Sequence, residues 1–115
     1  MKKNELIKNI IESILPTLLM LEKLMERKQN EKKPFPAEFD YEGKYKLIDD
    51  AYLYLLDQRK SKCPSVDSET LEKIADISKE STKYIKMDSL KNDYYYLANI
   101  LTDTSLYLKS IKEDK

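Results

Sequence analysis

Apolar positions near the start of the chain recur every three or four places: Ile7, Ile10, Ile14, Leu18, Leu21 and Met25. This is the period of a buried helix face, and Asn4 ahead of it has an N-cap side chain, so the pattern predicts a helix over about 4–29. Ile11, Leu15 and Leu19 widen the apolar surface beyond one stripe, which predicts contact with more than one neighbour. Pro16 falls in the middle of this face. A proline there removes a backbone donor at a cost of about 3 kcal/mol, so a kink near Pro16, or a break into two shorter helices, is expected.

The stretch 30–40, NEKKPFPAEFD, cannot continue the helix, because Pro34 and Pro36 hold it extended. It reads as a linker that packs onto the fold through Phe35 and Phe39. A recognition peptide for a proline-binding domain is a weaker reading, since it rests on one PFP. A second helix, about 41–60, follows with a seam of Tyr41, Tyr45, Ile48, Tyr52 and Leu55, and with Leu47, Ala51 and Tyr54 alongside. SKCPSVDS breaks the chain. Asp67 is then a suitable N-cap for a third helix, about 67–86, with Val66 and Leu71 spaced as a hydrophobic staple. Its stripe of Leu71, Ile74, Ile77, Ser81, Tyr84 and Ile85 is thin, so it is expected to be the most exposed helix. In the fourth helix, about 89–112, the positions Leu90, Tyr94, Leu97, Leu101, Thr104, Leu108 and Ile111 alternate steps of four and three, the seam of a bundle helix.

No strand pattern intervenes. The elements predict an all-α single domain: an antiparallel four-helix bundle made of two helical hairpins joined by an extended proline-containing linker. Composition agrees, for one glycine and 37% charged residues in 115 favour long solvated helices over strands joined by tight turns.

Charge narrows the function. Lysine plus arginine and aspartate plus glutamate each total 21, and no region is strongly polarised, whereas a protein that draws its affinity from phosphates usually has a basic balance. One cysteine, Cys63, leaves no internal disulfide and points to a reducing, cytoplasmic setting. The apolar run from Ile10 to Leu21 is interrupted by Glu12, closed by Glu22 and Lys23, and too short to span a bilayer, so neither a signal peptide nor a membrane segment is expected.

Catalytic inventory is poor. The absence of histidine removes the commonest general base and metal ligand, and one glycine cannot build a phosphate-cradling loop. Cys63 has Arg59, Lys60 and Lys62 nearby in sequence but no histidine to activate it. Glu22 and Glu26 share a face, as do Glu72, Asp76 and Glu80. The pairs Asp76–Lys79, Glu80–Lys83 and Glu69–Lys73 make the third helix read as an ion-paired solvent face rather than a metal site. No enzyme activity, cofactor or metal is expected.

One feature exceeds what a bundle needs. Tyr94, Tyr95 and Tyr96 diverge by about 100° each on a helix. Tyr94 continues the core seam, while Tyr96, Ile100, Tyr107 and Ile111 form a second row and Tyr95 lies on a flank. Leu47, Ala51 and Tyr54 are a shorter counterpart on the second helix. Either these helices sit between two neighbours within the monomer, or the row meets another chain, a role that suits large rigid tyrosine rings. The second reading makes Tyr54, Tyr95, Tyr96, Ile100 and Tyr107 partner-binding residues of a small interaction module: a homodimer, an accessory subunit, or an inhibitor or immunity-type protein. The alternative is a nucleic-acid-associated subunit of a larger complex, using Arg59, Lys60 and Lys62 with neighbouring tyrosines for stacking.

Overall fold

The computed structural model describes the backbone of residues 3–113 and the side chains of residues 3–111. Four helices are present among the described residues: α1 (Lys3–Gln29), α2 (Tyr41–Gln58), α3 (Ser68–Ser81) and α4 (Asp88–Glu113). Short 3-10 turns occupy Ala37–Phe39 and Thr82–Tyr84, and no strand occurs among the described residues. α3 and α4 make the most extensive contact, followed by α1 with α2 and α1 with α4, while α2 and α3 touch only slightly. Contacts at the ends make each neighbouring pair antiparallel: Arg59 at the end of α2 reaches Glu12 early in α1, and the Ser78 and Ser105 hydroxyls of α3 and α4 bond to the Tyr94 and Ser68 carbonyls. The result is an antiparallel four-helix bundle measuring 49 × 23 × 21 Å.

One core runs through it. Ile11, Ile14, Leu18, Leu21 and Met25 of α1 are fully enclosed against Ile48 of α2, Leu71 and Ile74 of α3, and Tyr94, Leu101 and Leu108 of α4. Each such aliphatic side chain contributes about 1.5–3 kcal/mol on burial. The linker closes one end as expected: Phe35 and Phe39 are buried and stacked at 4.3 Å between ring centres, with Tyr84 edge-on to both. The Lys44 ammonium lies over the Phe39 ring, bonds to the Phe39 carbonyl and pairs with Glu80 at 3.2 Å. Asp40, left-handed at φ 56°, caps α2 by accepting from the Gly43 amide. A Cβ on Gly43 would sit 2.2 Å from the capping carboxylate, so a larger residue there would displace the Asp40 side chain from the cap.

Asp67 caps α3 by accepting from the Glu69 amide and the Thr70 hydroxyl. Asp67→Ala is expected to cost about 1 kcal/mol, read as a lower denaturant midpoint at unchanged slope.

Several expectations need correction. α1 runs unbroken through Pro16 and so is not two shorter helices, and Pro16 is exposed beside α4 rather than in the middle of the buried face. Asn4 lies inside α1, and its amide donates to the Lys62 carbonyl rather than capping. α2 stops at Gln58, and α3 stops at Ser81, leaving Tyr84 and Ile85 beyond the helix. α3 is not the most exposed helix. Half its length is buried, whereas α2 buries only Ile48 and Leu55, its Tyr41, Tyr45 and Tyr52 being half-buried and its Tyr54 exposed. In α4 the buried positions are Tyr94, Leu97, Ala98, Leu101, Ser105 and Leu108, and Thr104 lines a surface hollow with α1. The expected pairs within α3 do not form. Its acids reach across to other helices, Glu80 to Lys44 and Glu72 to Lys109, and the bonds from Lys109 and Ser105 hold the Glu72 carboxyl below its ordinary pKa.

Candidate functional site

α4 lies between α3 and α1, so part of its second row is covered within the monomer and part is not. Ile100 and Ile111 are half-buried, but Tyr96 is 66% exposed and Tyr107 48%. From the other side α1 offers Met20, 51% exposed, with Leu24 half-buried below it. Between them runs a groove of about 600 Å³ lined by Pro16, Met20, Leu24, Tyr96 and Ile100. A smaller hollow of about 360 Å³ continues it past Ser13 to Leu6 and Tyr107. The charged side chains lining the two are Asp93 and Asp103, neither of which has an ion-pair partner among the described residues. An apolar channel edged by two carboxylates can receive an apolar ridge that carries positive charge beside it.

The structure gathers only three of the five expected contact residues here. Tyr96, Ile100 and Tyr107 share the α1/α4 groove. Tyr95 turns to the opposite flank, where its hydroxyl and that of Thr82 share a hydrogen bond at 3.2 Å. Tyr54 lies on the α2/α3 seam, its hydroxyl bonded to Ser65, at the edge of a hollow of about 410 Å³ lined by Leu47, Ala51, Val66 and Leu71. The basic trio is at one end of the bundle: Arg59 is 3.7 Å from Glu12, and Lys60 and Lys62 are exposed. No protein-family model, curated protein or solved structure matches the chain.

Sequence periodicity missed Met20, Leu24 and Leu6. They lie outside the core stripe of α1, and their only signal was an apolar run too broad for one face. It also missed Glu22. On the helix face it shares with Glu26, Glu22 is 5% exposed and points into the α1/α2 contact, where the Tyr45 hydroxyl lies 3.4 Å from its Oε2 and also bonds to Glu26. Its Oε1 has no hydrogen-bond partner, and Asp49 of α2 faces it within hydrogen-bonding reach. Burial first, then the Asp49 charge, push the Glu22 carboxyl up to about 7. No group of three or more acids or cysteines among the described residues is arranged to hold a metal ion, and no described helix is long and apolar enough to cross a membrane.

Proposed function

We propose that this chain is a non-enzymatic, cytoplasmic interaction module that seats an amphipathic helix of a partner protein in the α1/α4 groove, as an accessory or inhibitory subunit. The observation that carries the reading is the exposure of Tyr96, Tyr107 and Met20 along one channel. Apolar side chains scattered singly need no explanation, but three converging on a groove with a half-buried apolar floor form a surface that gains by being covered. Asp93 and Asp103 favour a partner helix with lysine or arginine beside its apolar ridge over a second copy of this acid-edged face.

A fluorescent leucine–lysine amphipathic peptide serves as probe, with a leucine–glutamate peptide of the same pattern as its control. Saturable binding of the basic peptide is expected, weakened about tenfold or more by Tyr96→Ala and by the pair Asp93→Lys and Asp103→Lys, and left unchanged by Tyr54→Ala. Equal binding of the acidic peptide, or indifference to Tyr96, would overturn the proposal. Concentration-dependent dimerisation lost in Tyr96→Ala would instead assign the groove to a second copy. Salt-sensitive binding of single-stranded RNA that depends on Arg59, Lys60 and Lys62 would favour the nucleic-acid reading.

A further inference from the structure

The α1/α2 contact contains an acid cluster with no compensating cation. Glu22 and Glu26 come from α1, and Asp49 comes from α2 together with the Tyr41 and Tyr45 phenols. Among the described residues no lysine or arginine pairs with any of the three acids. Lys46 of α2 is taken by Asp50 at 3.0 Å, and Lys44 by Glu80. α3 and α4 contribute no charged group to the perturbation of Glu22. Two ionised carboxylates facing each other in such a place are both acceptors, and the Glu22 Oε1 then gains nothing from the protein. With one proton between them the same geometry is a carboxyl–carboxylate hydrogen bond, among the stronger kinds.

We propose that Glu22 and Asp49 form a proton-binding clasp between α1 and α2: a single shared proton joins the two helices, and its release to solvent leaves facing negative charges that loosen the hairpin. The tyrosines tune the clasp. The Tyr45 hydroxyl bonds to Glu22 and favours its ionised form, so it opposes the effect of burial and of Asp49, while the bond to Glu26, and then burial, hold the Tyr45 phenol above its usual range, and burial, then the charges of Glu26 and Glu22, raise that of Tyr41. The sign of the pH dependence follows. An unfolded chain gives up the Glu22 proton near the ordinary 4.5 and the folded chain near 7, so stability falls as pH rises through that window and is level above it. This is opposite to the behaviour of a salt-bridged acid.

The test pairs a carboxyl ¹³C titration of Glu22 in the intact protein with denaturant unfolding of wild type, Glu22→Gln and Asp49→Asn at about pH 5 and about pH 8. Glu22 should titrate near neutrality, and its midpoint should fall in Asp49→Asn, which loses the facing charge. Between the two pH values the unfolding equilibrium constant of wild type, measured relative to Glu22→Gln, should rise on the order of a hundredfold. A Glu22 titration in the ordinary carboxylate range would overturn the clasp, as would parallel pH profiles of wild type and Glu22→Gln. The titration needs no variant, so a substitution that fails to fold still leaves the answer readable.

Discussion

Replacing Tyr94 by alanine is expected to lower the unfolding free energy by about 3–5 kcal/mol, while replacing it by phenylalanine should leave stability unchanged or raise it by about 1 kcal/mol. The opposite outcomes come from the two ends of one side chain. The ring is wholly enclosed among the helices, so truncation removes its apolar burial and leaves a cavity that close packing cannot fill. The hydroxyl is also buried and no protein group bonds to it, so the protein does not offset the cost of burying it. Burial accordingly pushes the phenol well above its usual pKa, and Tyr94 should not ionise in an alkaline absorbance titration until the chain unfolds. Denaturant midpoints of the two variants decide the matter. A loss for phenylalanine comparable with that for alanine would mean that the hydroxyl contributes to stability.

The second large effect is expected where α3 meets α4. Ser78→Leu should cost about 1–3 kcal/mol or more, and Ser105→Leu a similar amount, whereas Ser78→Ala should stay within about 1 kcal/mol. Both serines are fully enclosed. The Ser78 hydroxyl donates to the Tyr94 carbonyl at 2.6 Å, and that of Ser105 lies 3.0 Å from the Ser68 carbonyl. A side-chain oxygen that reaches the backbone of the next helix has no room for a larger group, so leucine must push the helices apart or leave its preferred rotamer. Alanine removes only the hydroxyl, and the Tyr94 carbonyl lies within α4, where the helix ladder also serves it. Comparable midpoints for Ser78→Leu and Ser78→Ala would show that the seam has slack.

Serine is also where the sequence misled most about packing. In a hydrophobic pattern Ser68 and Ser78 of α3, like Ser105 of α4, count as polar, so α3 reads as thinly apolar and solvent-facing, yet it forms the most extensive seam of the bundle. Small side chains bury by letting backbones approach, a property of two helices together that leaves no periodic mark on either one. Glu22 misled in the same way. Its spacing from Glu26 is that of a surface pair, and only the position of α2 encloses it.

The positions of the helices along the chain, the capping of α3 by Asp67, the anchoring of the linker by Phe35 and Phe39, and the burial of Tyr94 were all legible from residues 1–115 alone, because helical period, capping chemistry and proline geometry act within a few residues of chain. The division of the tyrosine triplet into a core ring, a flank bonded to Thr82 and an exposed edge of the α1/α4 groove was legible only in part. The direction of each side chain follows from the turn of the helix, but its covering depends on which helix lies beside it. Exposure at Tyr96, the close α3/α4 seam and the enclosed carboxylate of Glu22 are facts about distances between helices, and those distances are set only when all four pack at once.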